Sequence, residues 1–454
     1  MCRWRTPSVV ASLGAVAFLA SSCAGSGYGE LRDELASARP KAVAVAQTPA
    51  TAPDALPESA DLYDLLRYAR DHNPGAVAAY HRWHASTERV PQERALPDPQ
   101  LLLEQIDVSV GPRPREIEVS QMVPWFGTLG LRGQVAAHEA RAAREGFHAL
   151  LDMLYYNVVD TYVEYYYVSQ SADITQALIE LMADAEAVAQ ARYRDGSGSF
   201  ADVIRAQLEQ DRLDNELISL QSETRPIRAR LNAALSRPAD ASLAAPRELP
   251  AESLALSDDE VLASAASGNP RLLALDEMVA REERAASVAA RRYLPDLMFG
   301  ITYMDRDQSA SAHDAVGADD DVMAMVGLNI PIWWGSYNAG RREAQARRRA
   351  AEAERHDQEN VLSAECARVL FAYHDAERRV ALYRDELIPR ATEALNAARA
   401  GFAAGDVDFS GFLDTERLLL DFQLSLDRSR ADRLSRLAQL RMLIGGAFEA
   451  SADW

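Results

Sequence analysis

The stretch LPDPQLLLEQIDVSVGPRPREIEVSQMVPWFG, residues 96–127, has parts that recur in the same order at residues 294–335. The first copy runs Leu96-Pro97-Asp98-Pro99, two alternating segments, then Val123-Pro124-Trp125-Phe126-Gly127. The second runs Leu294-Pro295-Asp296, two alternating segments, then Ile330-Pro331-Ile332-Trp333-Trp334-Gly335. Proline ends a preceding helix and pushes the residue before it toward extended backbone. Period-two alternation after it is a strand signal. Each copy therefore predicts a β-hairpin that feeds a helix.

In the first hairpin, Leu102, Ile106, Val108 and Val110 share a face, with Glu104 the exception, and Gln105, Asp107 and Ser109 share the other. Gly111 to Pro114 is a turn, and Ile117, Val119, Gln121 and Val123 alternate with Glu116, Glu118 and Ser120 on the return. In the second hairpin, Leu297, Phe299, Ile301 and Tyr303 alternate with Met298, Gly300, Thr302 and Met304; Val322, Ala324, Val326, Leu328 and Ile330 alternate with Met323, Met325, Gly327 and Asn329. Its longer loop carries Asp319-Asp320-Asp321. Runs of this length match membrane-crossing strands, although a half-buried soluble hairpin has the same local pattern.

A very long helix follows each hairpin. No proline occurs from Leu129 to Arg194, and at 1.5 Å per residue such a helix reaches roughly 100 Å. Leu151, Leu154, Val158, Tyr162 and Tyr165 mark its packing seam. The matching helix runs from about Ser336 to Ala404 with Leu370, Tyr373, Val380, Tyr383 and Leu387 along its seam, and Pro389 should kink it or free a carbonyl. Turns at Tyr193-Arg194-Asp195-Gly196, continuing through Ser197-Gly198-Ser199, and at Phe402 to Asp408 send the chain back as helices over about 200–236 and 409–444. Helices over about 61–94 and 258–292 open the two halves, and 238–257 connects them. The repeats span 58–238 and 250–448. Such units bury their apolar faces only against one another or against other chains.

The N-terminus reads as a secretory signal over residues 1–22, with Arg3 and Arg5 before the short apolar run Val9–Ala20. Leu19-Ala20-Ser21-Ser22-Cys23 resembles a bacterial lipoprotein cleavage site, with Ala20 where leucine is usual, so Cys23 is the expected acylation site. Residues 23–57, rich in Ala, Pro, Ser and Thr, read as an extended lipid-anchored tether. Cys366 is then left alone in a helix as a small buried residue, and no disulfide or cysteine-based metal site is expected within the chain. A net charge of -20 over 454 residues argues against nucleic acid as a partner.

No enzyme constellation stands out. His81 and His84 share a helical face without a third ligand, and Gly25, Gly27 and Gly29 do not lie between a strand and a helix. Neither a catalytic residue nor a cofactor is expected. Met298, Met304, Met323 and Met325 oppose the aliphatic strand faces; thioethers suit a soft-metal cargo such as Cu(I), and Met is equally an adaptable filler, so no metal site is assigned.

Four short strands cannot close a barrel in one chain, and open edges in lipid are too costly, so strands that cross a membrane must be pooled by several chains. The chain resembles the outer membrane efflux protein family (TolC type) from about Ala60 to Gly446. The resemblance rests on the doubled order of Leu-Pro-Asp, the Pro-aromatic-Gly junctions, aromatic-x-x-Gly at both tips, Ile388-Pro389 and Phe412-Leu413-Asp414. It implies a mainly α chain with a small β part, whose long antiparallel helices form a trimeric α-barrel and whose four strands join a twelve-stranded transmembrane β-barrel. A homotrimer in outer-membrane lipid, a periplasmic adaptor and an inner-membrane pump are the implied partners; the lipid-anchored branch is the one linked to resistance-nodulation-division pumps. The implied role is a passive exit duct for metal ions or drugs. Counting from the tip glycine, Asp414 matches one family gate position, while Gly411 departs from the other; Asp406 and Asp408 lie nearer the turn and offer alternative charge, and Asp is also favoured at a helix start by capping alone. Both tips are candidates for adaptor docking: Tyr193, Gly196, Ser197, Gly198 and Ser199, then Phe402, Gly405 and Val407. The rival reading is a lipid-tethered periplasmic coiled-coil scaffold without a channel, which leaves the doubled hairpins without a purpose.

Overall fold

The computed structural model describes residues 26–40, 56, 60–105, 115–305 and 321–450. The signal segment, Cys23, most of the expected tether and both hairpin loops, with Ile106, Val108 and Val110, lie outside them. In chain order the elements are α1 (Ser26–Ser37), α2 (Leu62–His72), α3 (Pro74–Arg94), β1 (Gln100–Gln105), β2 (Arg115–Val123), α4 (Thr128–Arg194) and α5 (Phe200–Ala234). The second half gives α6 (Asp258–Gly268), α7 (Pro270–Arg291), β3 (Leu297–Asp305), β4 (Asp321–Leu328), α8 (Trp334–Leu382), a π turn (Tyr383–Leu387), α9 (Ile388–Ala404), α10 (Phe409–Ile444) and a final turn, α11 (Ala447–Ala450). Among the described residues no helix is long and apolar enough to cross a membrane.

The chain divides into two compact units. One holds the strands, as a single antiparallel sheet in the order β1-β2-β3-β4. The register pairs Leu101 with Val119, Val119 with Ile301 and Ile301 with Ala324, so these side chains share one face. The expected alternation of β2, β3 and β4 holds, and that of β1 is corrected. Leu102 pairs with Glu118 and Glu104 with Glu116, which moves both to the polar face and brings Leu101 and Leu103 to the aliphatic one. Glu104 is therefore no exception: it sits in a row with Glu116 and Met304. The aliphatic face is bare in the single chain, with Leu101 64% and Val326 73% exposed. On the other face the methyl groups of Met325 and Met298 cover Gly300 and Gly327, where a Cβ would come within 3.1 and 3.2 Å of them.

The same unit contains α1, which corrects part of the extended tether. Leu31 is buried with Val90 of α3 and Ala136, Ala137 and Ala140 of α4. Tyr28 donates to Glu88 at 2.9 Å and Arg144 to Glu34 at 2.7 Å. Leu31 and Leu35, one turn apart, bury fully or nearly so, worth about 1.5–3 kcal/mol each.

The second unit is a helical bundle with one large and one smaller apolar cluster. Leu154, Val158, Tyr162 and Tyr165 of the α4 seam pack with Leu231 of α5, Leu370 and Tyr373 of α8 and Leu437 of α10. Tyr383 and Leu387 are only half-buried because the helix changes phase beneath them. Pro389 has no amide to donate, and the turn before it widens so that Ile388 bonds back to the Tyr383 carbonyl.

The expected opening helices are each broken once, at Asn73-Pro74 and Asn269-Pro270. Asn73 accepts from the Ala76 amide at 3.2 Å and donates to the Ala234 carbonyl at 3.0 Å; Asn269 accepts from Leu272 at 3.1 Å and donates to Leu443 at 2.8 Å. In both repeats one side chain thus caps an opening helix and closes the last turn of the return helix. The connector is held at Glu252, which accepts from Tyr63 at 2.5 Å and pairs with Arg441 at 2.5 Å, while Arg441 also donates to Tyr155 at 2.8 Å.

Candidate functional site: the paired helical tips

The turns between α4 and α5 and between α9 and α10 are built alike, residue by residue. At the first, Ser197 and Gly198 both donate to the Arg192 carbonyl at 2.9 Å; at the second, Asp406 and Val407 donate to the Gly401 carbonyl at 2.8 and 3.2 Å. Gly196 and Gly405 take the same place with φ of +72° and +89°, a region costly for other residues. Ser199 and Asp408 then cap the returning helices, accepting from Ala201 at 3.1 Å and Gly411 at 3.0 Å.

Each turn brings two positions into contact, and one of each pair is glycine. A Cβ on Gly198 would lie 2.8 Å from that of Arg192, and a Cβ on Gly401 would lie 2.6 Å from a Val407 methyl. The large residue thus stands before the turn at one tip and after it at the other. Sequence reading included Gly198 and Val407 but missed Arg192 and Gly401, although the shared offset from the turn glycine identifies both.

The structure brings the two tips together. Arg192 donates to the Phe402 carbonyl at 2.9 Å with its guanidinium 5.0 Å from the Phe402 ring centre. Phe402 is buried with Phe409 and Phe412, and its ring lies nearly parallel to that of Phe412 at 5.5 Å. Tyr193, 50% exposed, rests on Phe200 at 5.4 Å.

The candidate acidic residues are all exposed, but their bonding differs. Asp408 is engaged in capping: it also accepts from the Ser410 hydroxyl at 2.6 Å, and bonds from Ser410 and the Gly411 amide hold its carboxyl below the usual range. Asp406 lies in the turn itself and Asp414 on the first turns of α10. Among the described residues no group of His, Cys, Asp or Glu could hold a metal ion.

Behind the tips lies a charged cluster that sequence reading missed. Glu209 of α5, 5% exposed, accepts from Arg212 at 2.8 Å and from Arg417 of α10 at 2.5 Å. Burial alone would raise its pKa, but these two bonds overcome it and the pKa is lowered. The next carboxylate, Glu416, is 2% exposed and neither oxygen has a hydrogen-bond partner. Burial pushes its carboxyl up to about 8, with the Glu209 charge adding to the rise and Arg399 and Arg417 opposing it.

The chain thus combines a sheet with one aliphatic and one polar face and long helices that end in matched tips. The outer-membrane channel OprN has this fold, with a TM-score of 0.73 at 18% identity over 85% of this chain and 90% of its own. So does CusC, described through transmembrane channel formation, with a TM-score of 0.74 at 16% identity over 88% of this chain and 98% of its own. Residues 261–446 match the family model described as outer membrane efflux protein. A curated relative, the pyoverdine export outer membrane protein OpmQ of Pseudomonas putida, is 22% identical over 430 residues, 87% of each chain. By name these relatives are channel or export proteins rather than enzymes.

Proposed function

We propose that the chain is the outer-membrane exit duct of a tripartite efflux system, a passive homotrimer that receives small molecules from an inner-membrane pump through a periplasmic adaptor. The observation that carries this reading is the sheet: among the described residues it has four strands, an unpaired edge at each side and an uncovered aliphatic face. Strand edges of this kind are tolerated in lipid only when other strands close them. Three copies give twelve strands, an even number that closes antiparallel. A lipid-tethered scaffold offers no use for such a face.

In this reading Cys23 carries the acyl anchor, and Tyr193, Gly196, Ser197, Gly198 and Ser199 with Phe402, Gly405 and Val407 form the adaptor-docking tips. Asp414, with Asp406 and Asp408, supplies the charge that meets cations where three copies converge. The test is the purified full chain in detergent. A trimer that conducts ions in planar bilayers supports the duct, and Asp414→Ala should raise conductance or weaken cation block. A monomer or dimer that stays in water without detergent would end it.

A further inference from the structure

The seam between β2 and β3 has a clasp at its base. The first amide after Pro124, that of Trp125, donates to the Asp296 carboxylate at 3.2 Å, just where Val123 faces Leu297 across the ladder. Asp296 belongs to Leu294-Pro295-Asp296 of the second repeat, and Trp125 to the junction of the first. The motifs occur twice, so each clasp component has a counterpart: Asp98 in Leu96-Pro97-Asp98, and Ile332, the first amide after Pro331. These counterparts lie at the two outer edges of the sheet, before β1 and after β4. Asp98 is exposed, and among the described residues neither its carboxylate nor the Ile332 amide has a partner.

We infer that the β4 edge of one copy pairs with the β1 edge of the next in the register of the β2–β3 seam, clasped by the Ile332 amide of one copy donating to Asp98 of the other. The inference deepens the trimer reading and rests on it. Placing Ile330 where Val123 stands, and Pro99 where Leu297 stands, sets Leu328 opposite Leu101 and Val326 opposite Leu103. An independent observation agrees. The ladders within the chain put Leu101, Leu103, Val326 and Leu328 on the same aliphatic face. A slip of one residue would turn every β1 side chain to the wrong side. The strand directions also fit, since β1 and β4 of a four-stranded antiparallel sheet run in opposite senses and meet antiparallel between copies. The prolines are placed compatibly as well: Pro99 immediately precedes β1 and Pro331 follows β4, so both fall at the ends of the seam, where proline is tolerated.

Facing residues in such a ladder have Cα atoms about 4.5–5.5 Å apart, within disulfide range. The test is the full chain with Leu101→Cys and Leu328→Cys in a Cys366→Ala background, oxidised in detergent and run without reductant. A ladder of linked dimer and trimer is expected, whereas Leu101→Cys with Val326→Cys, two residues out of register, stays monomeric on the gel. A ladder from the second pair and not the first overturns the register. A particle of monomer mass before denaturation, with no ladder from either pair, overturns the trimer reading instead. Asp98→Ala should lower the temperature at which the detergent-resistant oligomer dissociates, and Asp98→Asn, which keeps an acceptor oxygen, should restore most of the loss. An unchanged dissociation temperature in Asp98→Ala removes the clasp.

Discussion

Arg192 reaches Phe402 twice, as a donor to its carbonyl oxygen at 2.9 Å and as a cation 5.0 Å from the centre of its ring. The two residues are 210 positions apart, one at the tip of each repeat. A cation over an aromatic face contributes about 0.5–1 kcal/mol at exposed sites, and the hydrogen bond adds to it. The contact therefore fixes the two turns as one body while stabilising the whole chain little.

Arg192→Ala should leave the fold intact and loosen the second tip. Faster amide exchange is expected over residues 402–408, with a loss of about 1 kcal/mol in global stability. Arg192→Lys keeps the charge but not the planar fork, so only part of the protection should return. Exchange that is equally slow in all three proteins would mean that the Phe402, Phe409 and Phe412 cluster holds the tip alone.

Asp408 has two candidate roles that substitution separates. Its carboxylate caps α10, and loss of such a cap destabilises the helix start, whereas asparagine caps as well as aspartate. Asp408→Ala should lower thermal stability, and Asp408→Asn should not. If the charge also meets permeating cations, Asp408→Asn changes cation block in single-channel recordings while its unfolding curve overlays the parent. Coincident currents would leave Asp408 with capping alone.

Legibility in the sequence followed the range of the forces involved. The tips, the long helices and three of the four strands are written in local patterns: turn glycines, absence of proline, and alternation. Leu101-Leu102-Leu103 has no period, so the partner strand alone decides which leucine turns to the aliphatic face. Helix α1 was hidden by its Gly- and Ser-rich start, although Leu31 and Leu35 at one helical turn carried the signal. The breaks at Asn73-Pro74 and Asn269-Pro270 are turn dipeptides that a closer reading finds. The Asn side-chain bonds to Ala234 and Leu443 join residues more than 160 positions apart and have no local trace. The burial of Glu416 does have a local trace, since it lies four residues after Phe412, three after Leu413 and four before Leu420, on the apolar stripe of α10 and away from Asp414.

The doubled asparagine makes its own prediction. Asn269 is 4% exposed and makes a cap and a carbonyl bond at once. Asn269→Ala should destabilise by about 2–3 kcal/mol, combining a lost cap with a stranded buried acceptor. Asn269→Asp keeps the cap but sets a carboxylate oxygen against the Leu443 carbonyl, and should be no better than alanine. Asn73, less buried, should follow the same order with smaller losses. Denaturant unfolding in detergent measures both series, and an Asn269→Asp variant as stable as the parent would show that the bond to α10 contributes nothing.

Glu416 should make the tip region sensitive to pH in the opposite sense to a paired carboxylate. The groups around it are Glu209 from α5, Arg399 from α9 and Arg417 from its own helix, and Arg417 is already bonded to Glu209. The carboxyl moves from an ordinary 4.5 to about 8 in the folded chain. Between these values the folded state holds a proton that the unfolded state has released, so stability falls as pH rises. The contribution is complete below 4.5 and gone above about 8, with a slope of up to about 1.4 kcal/mol per pH unit between. Glu416→Gln keeps a neutral group at every pH. The difference between parent and variant isolates this carboxyl from all others, because those titrate in both. At pH 4.5 the two should differ little; the glutamine variant should gain on the parent as pH rises toward 8 and keep that advantage at pH 9, with its amides near the tips exchanging more slowly. Parallel stability curves from pH 5 to pH 9 would show that Glu416 is ionised in the folded chain and that one of the neighbouring arginines has turned to meet it.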